Sequence, residues 1–314
     1  MKVSILIPVH GECLFLKNTL ESLENANLES CEVIAVLDRA NVEPQQLLMN
    51  FQAQNEHVFI IDSDGIGISN ALNTGLKFST AEFIARLDCD DLVLPERFQE
   101  QIRFLTDHPN VIVFGSQIHL INEVGDVIAS KKYPTHSRSI HRVLRFQNCI
   151  AHPSVMFRKK EIQDAGGYDS NFDGAEDFEL WTRILPKYKI ANSKATLMNY
   201  RISESQVTRK PKMYPGELEF KVILKNSSFC RKNRIELNAI TNLLESNNRT
   251  LLSIRKKSYR TFLLYLGLRN LLGLIHGIKL TSRDKWRKLI LGLLLSPMMT
   301  FNFLVYQIWR KIDW

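Results

Sequence analysis

Cysteine is sparse in this 314-residue chain, and its arrangement excludes more than its number does. Cys13, Cys31, Cys89, Cys149 and Cys230 are an odd set, lie far apart and form no C-x-x-C pair, so neither a disulfide framework nor a zinc knuckle is indicated. A reducing compartment is the simplest reading. Glycine (14) and proline (10) are too few for a collagenous or low-complexity chain. The N-terminal apolar stretch, Val3–Val9, is too short for a signal-peptide core with a cleavage site, which predicts a cytoplasmic protein. A dinucleotide fingerprint is missing as well. Gly65-Ile66-Gly67-Ile68-Ser69-Asn70 ends in Asn70 where the third glycine is required, and it follows the third predicted strand rather than the first.

What is present, 45% hydrophobic and 24% charged residues, is the mixture of a folded protein, and the length predicts about two domains. Acidic residues thin out sharply toward the C-terminus. Residues 1–205 hold 20 Lys/Arg against 27 Asp/Glu, a net charge of −7, whereas residues 206–314 hold 21 against 6, a net charge of +15. Such a basic tail points to an anionic partner, either nucleic acid or an anionic membrane surface.

Four short runs rich in Val and Ile, Val3–Val9, Val33–Leu37, Val58–Ile61 and Phe83–Leu87, have the character of strands covered on both faces. Helical spacing lies between and after them, with Leu16, Leu20 and Leu23 at i, i+4 and i+7, and Phe98, Ile102 and Leu105 likewise, Pro95 suiting a first helical turn. This rhythm predicts an α/β fold with a mostly parallel, helix-covered sheet. Residues 111–205 add strand-like pieces at Val111–Phe114 and Val155–Phe157 and an acidic helix, Glu176–Ile184. In open sheets of this kind ligands sit beyond the carboxyl ends of the strands, so the residues there are the ones to weigh.

Asp88-Cys89-Asp90-Asp91 follows the fourth run. Its carboxylates repel one another unless a cation is present, and hard Mg²⁺ or Mn²⁺ takes oxygen ligands together with phosphates. An acidic turn capping the helix after Pro95 is the structural alternative. Asp38 ends the second run, where a carboxylate can accept from a nucleobase N–H or a ribose hydroxyl or simply occupy a loop. Gly67 and Asn73 read as a turn and the first turn of a helix bordering a nucleotide. Asp177 and Trp181 are i, i+4 neighbours on the acidic helix, so one face offers a carboxylate beside an aromatic plate, suited to deprotonating a sugar hydroxyl on a stacked ring. The same helix also reads as amphipathic with acids at its N-terminus, where the dipole favours them. His152, before Pro153, is either a hydrogen-bonded structural residue or a ligand to metal or diphosphate.

Together these motifs resemble a family. Val3–Val9 with Glu12, the Val33–Asp38 strand, Gly67–Gly75 (GISNALNTG), Ala85–Arg97 (ARLDCDDLVLPER), Ala151–Lys159 (AHPSVMFRK) and Gly166–Arg183 (GGYDSNFDGAEDFELWTR) are similar, in order, to the family 2, GT-A-fold glycosyltransferases of bacterial surface-polysaccharide synthesis. The resemblance covers about residues 2–205. It implies an inverting glycosyltransferase that moves a sugar from a nucleotide-diphosphate donor to a saccharide or polyprenyl-diphosphate-linked acceptor, with Mn²⁺ or Mg²⁺ as cofactor. It further implies donor contacts by Pro8, Val9, Glu12, Asp38 and Asp88, metal ligation by Asp90, and Asp177 as catalytic base. Read from the residues themselves, Gly67 and Asn73 join the donor site, His152 is a second metal ligand, and Glu176 and Trp181 lie on the acceptor side. Two departures, Leu72 before Asn73 and Arg39 after Asp38, leave the nucleotide open. Residues 1–100 are then the nucleotide-sugar half, 101–205 the acceptor half, and 206–314 a basic, apolar, helical region.

Leu289–Trp309 in that region is 21 residues without formal charge, bracketed by Arg287-Lys288 and Arg310-Lys311, long enough to span a bilayer. Ser296-Pro297, Asn302 and Gln307 interrupt it. Helices lying in the interface, with basic residues toward anionic headgroups, are favoured over a span or a soluble subdomain, giving a cytoplasmic protein peripheral on the inner face of the membrane. Long uncharged leucine-rich runs do not suit nucleic-acid binding, which needs charge spread over an exposed face. Two other classes compete: a metal-dependent nucleotidyltransferase, against which Pro8-Val9-His10-Gly11-Glu12 lacks a basic Gly-rich loop, and a non-catalytic membrane-associated protein, which needs neither Asp90 nor Asp177.

Overall fold

The computed structural model describes residues 2–203, apart from 27, 29, 145 and 146, together with Val222. The chain divides between Lys210 and Pro211, and the described sheet lies in the first part. Expectations for Cys230, Leu289–Trp309 and the rest of the tail lie outside the described residues.

The first half alternates as its periodicity predicts. Strands β1 (Val3–Gly11), β2 (Cys31–Ala40), β3 (Val58–Asp62) and β4 (Phe83–Arg86) are joined by helices α1 (Leu16–Glu24), α2 (Val42–Gln54) and α3 (Ile68–Phe78). β1 is buried from Val3 to Val9, with both faces covered, which is why its sequence is apolar at successive positions instead of alternating. Leu16, Leu20 and Leu23 of α1 pack into the core built on Val3, Ile5, Ile7 and Val9. Gly75 of α3 lies against Val36 and Leu6, where a Cβ would stand 3.0 Å from the Val36 methyl, so the helix approaches the sheet closely at a residue without a side chain.

Beyond β4 the chain changes style. β5 (Leu92–Val93) and α4 (Arg97–Asp107) lead to the long strand β6 (Val111–Ile121) and its hairpin partner β7 (Val127–Lys131). Then come α5 (Ser137–Val143), β8 (Met156–Arg158), α6 (Lys159–Asp164), α7 (Glu176–Ile184) and β9 (Lys189–Arg201). Pro95 falls in the turn before α4, not inside it. The sheet order is β3-β2-β1-β4-β8-β6-β9-β5, with β7 on β6.

The expected mostly parallel sheet is therefore corrected to a mixed one. β1–β2, β1–β4, β2–β3 and β6–β9 are parallel, while β4–β8, β5–β9, β6–β7 and β6–β8 are antiparallel. The first four strands follow one another through single helices, as neighbouring parallel pairs require, and β6 and β9 are parallel across the longer connection that holds α5, α6 and α7. β6 and β7 form a hairpin and β8 enters the sheet antiparallel to both neighbours, a direction that an apolar run does not encode.

The strand order reverses at β1, which lies between β2 and β4, and ligands in such sheets bind at that point beyond the carboxyl ends. The loop after β1 and the loop after β4 meet there, joined through Arg201, which lies over Phe15 and donates to the Asp90 carbonyl.

Candidate active site

The acidic loop is held from below by buried arginines. Asp88, Asp90 and Asp91 place carboxylate oxygens within 4.8 Å of one another. Asp88 forms an ion pair with the buried Arg86. Burial alone would weaken the Arg86 charge, but the Asp88 carboxylate outweighs it and holds the guanidinium's pKa above its usual value. Asp91 is 0% exposed. Its Oδ1 accepts the Arg201 N–H at 2.8 Å. Its Oδ2 is buried without a hydrogen-bond partner among the described residues. Burial first, and then the neighbouring Asp88 and Asp90, push its carboxyl well above the carboxylate range. Three oxygen donors, one of them an orphaned buried oxygen, fit a hard divalent cation.

Arg201 is the part of this site that sequence reading missed. From the end of β9 its Nε donates to the Asp90 carbonyl at 2.9 Å, its Nη1 donates to the Asn122 and Glu123 carbonyls at 2.9 and 2.7 Å, and its guanidinium lies 4.4 Å over the Phe15 ring. It thereby ties the loop after β1, the acidic loop and the β6–β7 turn together. No local signal marks it, because its partners are 78 to 186 residues away in sequence. Arg97 works one layer deeper, donating to the Arg86 carbonyl at 2.7 Å, and burial draws its guanidinium down to about 9.

On the donor side, Pro8 and Val9 are buried in β1, pairing with Val36 and Leu37, and Glu12 is exposed just past the strand. Asp38 lies opposite His10 at the end of β2. Its Oδ2 accepts the Gly67 N–H at 2.9 Å and its Oδ1 accepts Arg39 Nε at 3.2 Å, so the carboxylate anchors the turn into α3. Gly67 has φ +102°, a conformation that favours glycine. The Asn73 side-chain amide donates to the Tyr168 carbonyl and its oxygen accepts the Tyr168 N–H, both at 2.9 Å. That two-point contact explains Gly167, whose Cβ would collide with the Asn73 oxygen. Arg183, paired with the buried Glu179, donates to the carbonyls of Ala165 and Gly167 and holds the same turn.

Glu176 and Asp177 open α7. The Glu176 Oε1 lies 3.6 Å from His152 Nδ1, and its Oε2 accepts the Gly174 N–H at 2.7 Å. Burial raises the Glu176 pKa, but the His152 hydrogen bond and charge outweigh it, so this carboxyl falls below its ordinary value. Asp177 goes the other way. Burial is the largest cause, and its carboxyl is pushed up although His152, the Phe178 N–H at 2.7 Å and the Asn148 amide at 2.5 Å favour the anion.

Two expectations do not hold. His152 has its other ring nitrogen, Nε2, 3.0 Å from the Tyr168 hydroxyl, so both nitrogens are engaged within the fold and it does not join the acidic cluster as a metal ligand. Trp181 is 0% exposed, edge-on to His152 at 6.0 Å between ring centres, and presents no open face on which a sugar could stack. The helical spacing placed it correctly on α7 but could not tell an inward face from a cleft-facing one.

Residues 4–165 match the family model described as glycosyl transferase family 2. The chain is 32% identical over 216 residues to the O-antigen biosynthesis glycosyltransferase WbnJ of Escherichia coli, covering 68% of this chain and 84% of that protein. It is 32% identical over 197 residues to the amylovoran biosynthesis glycosyltransferase AmsE of Erwinia amylovora, covering 62% and 73%. Among solved structures it is similar in fold to S. aureus TarS 1-349 in complex with UDP-GlcNAc, with a TM-score of 0.59 at 16% identity over 85% of this chain and 80% of that one. The mannosyltransferase PcManGT from Pyrobaculum calidifontis, solved with GDP-Man and Mn²⁺, aligns with a TM-score of 0.52 at 14% identity over 99% and 88%.

Proposed function

We propose, for a chain that belongs to glycosyl transferase family 2, an inverting transfer of a sugar from a nucleotide-diphosphate donor to a saccharide acceptor carried on a polyprenyl diphosphate, in cell-surface polysaccharide synthesis. The observation that carries the reading is the separation of two carboxylate sets: the oxygen cluster of Asp88, Asp90 and Asp91 on one loop, and Asp177 at the start of α7 on another. Relatives named for O-antigen and amylovoran biosynthesis support the polysaccharide setting.

In this reading Asp88, Asp90 and Asp91 hold Mn²⁺ or Mg²⁺, which when bound supplies Lewis-acid neutralisation of the departing diphosphate. Asp38, Glu12, Pro8, Val9 and Gly67 surround the base and ribose, Asn73 supports that wall from behind, and Glu176 orders the acceptor side through His152. Asp177 accepts the proton of the acceptor hydroxyl as its oxygen bonds to the anomeric carbon and the bond to the nucleoside diphosphate breaks. A single displacement of this kind inverts the configuration. Residues 1–100 serve the donor and 101–205 the acceptor. Residues 206–314 bring the basic charge to an anionic inner membrane face. Among the described residues no helix is long and apolar enough to cross a membrane.

The deciding experiment is Asp177→Asn, tested with whichever nucleotide-sugar the wild type turns over in a panel. Expected are retained donor binding, transfer lowered by about 10²–10⁴-fold, the usual contribution of a general base, and a β-linked product from an α-linked donor by NMR. A retained configuration, or near-normal transfer by the variant, overturns the assignment.

A further inference from the structure

Helix α3 has no capping side chain of its own, because its N-cap is Gly67. The first-turn N–H of Ser69 is instead accepted at 3.2 Å by Oδ1 of Asp173, which is 104 residues further along the chain. The second carboxylate oxygen lies so close over Gly67 that any Cβ there would collide with it. On its other side Gly67 donates its N–H to Asp38 at 2.9 Å. One glycine thus stands between the carboxylate at the end of β2 and the carboxylate of Asp173. Asp173 in turn begins the short segment in which Gly174 (φ +99°) donates to Glu176 and Phe178 donates to Asp177.

We propose that Asp173 is a positioning residue that locks the loop carrying Asp177 to the donor wall at Gly67. This rests on the reading of Asp177 as the base. A base held four residues from Asp173 needs registration against the donor within a fraction of an ångström, since a misplacement of about 1 Å can cost about 10²-fold in rate. The two acids that open α7 have no direct partner on the donor side: Asp177 is tied to Phe178 and Asn148, and Glu176 to His152 and Gly174. Arg183, further along α7, reaches that side only indirectly, through the turn whose neighbour Tyr168 pairs with Asn73. Asp173 makes the contact that crosses. A carboxylate over a helix N-terminus also suits the dipole, which explains why an acid rather than a serine fills this place.

The test uses the full chain with Asp173→Ala and Asp173→Asn, and its first readout needs no substrate. Hydrogen–deuterium exchange should rise at Ser69 and also across residues 174–178 in the Ala variant, and both should return to wild-type protection in the Asn variant, which keeps an acceptor for the Ser69 N–H. Exchange that rises at Ser69 alone shows a simple helix cap and overturns the proposal. With a nucleotide-sugar that the wild type turns over, drawn from UDP-, GDP- and dTDP-sugars, the Ala variant should lose about 10–100-fold in kcat while its donor KM stays within about threefold. An Asn variant as slow as the Ala variant, or a donor KM that rises as much as kcat falls, also overturns it. Changed exchange at 174–178 with unchanged transfer leaves the coupling standing and removes Asp177 from the reaction.

Discussion

Arg201 donates its Nε–H to the carbonyl of Asp90 at 2.9 Å, so the loop that carries the acidic cluster is held through its backbone by the last residue of β9. Burial lowers the Arg201 pKa, and the Asp90 and Asp91 carboxylates beside it work against that loss, which keeps a buried guanidinium charged at the floor of the site. Lys cannot reproduce the fork that reaches Asp90, Asn122 and Glu123 together. Arg201→Lys is therefore expected to raise the half-saturating Mn²⁺ concentration by about tenfold or more, the scale of losses when groups that orient metal ligands are changed. A titration of turnover against Mn²⁺ checks it, and an unchanged midpoint refutes it.

Asp88 and Asp90 should separate by stability. Chelator should abolish donor turnover in the wild type, and Mn²⁺ or Mg²⁺ should restore it, as a Lewis acid worth several kcal/mol requires. Asp90→Ala should nearly abolish turnover at any metal concentration. Asp88→Ala should do so too, and it also leaves Arg86 buried without its ion pair. Breaking a buried pair costs about 3–5 kcal/mol, and the 29% exposure of the Asp88 side chain points to the lower end of that range. Thermal melting of the two variants decides, and equal Tm values would sink the distinction.

Trp181 supplies a test of the corrected acceptor site. A fully buried tryptophan replaced by alanine is expected to cost about 3–5 kcal/mol. Trp181→Phe, which keeps most of the packing, should fold and show an unchanged acceptor KM. A raised acceptor KM with an unchanged melting temperature would return the ring to the sugar.

The sequence made visible what depends on local periodicity. β1 to β4, α1, α4 and α7 stand within a few residues of their predicted places, since runs such as Val3–Val9 and the spacing of Leu16, Leu20 and Leu23 encode burial directly. β9 was missed because Lys189–Arg201 mixes polar residues into a strand whose partners, β6 and β5, lie far away in sequence. The candidate site divides in the same way. Asp88, Asp90 and Asp177 were legible because carboxylates clustered at strand and helix ends are unusual. Arg201 and Asp173 were not, because a residue that holds a loop across 100 positions carries no local mark. Trp181 was placed on the right helix and given the wrong environment, while His152, open between a hydrogen-bonded structural residue and a ligand, takes the first form, since its nitrogens meet Tyr168 and Glu176.

The pH profile follows from Asp177. Burial raises its pKa above the ordinary value of about 3.9, so a larger share of the group is protonated in mildly acidic solution than for an exposed aspartate. A base works only when deprotonated, and kcat should therefore rise with pH through an acid limb set at that raised value. Glu176, lowered by His152, adds its negative charge to the rise at Asp177. The Asn148 amide, 2.5 Å from the Asp177 carboxylate, stabilises the anion. Removing it by Asn148→Ala withdraws a hydrogen bond from the charged form, which raises the Asp177 pKa further and moves the limb to higher pH. At pH well above the limb the variant should recover most of its rate, because the lost contact acts on the proton rather than on the bound substrates. Single-turnover transfer measured across pH separates the two. A limb that stays in place in Asn148→Ala, or that moves to lower pH, shows that another group loses the proton.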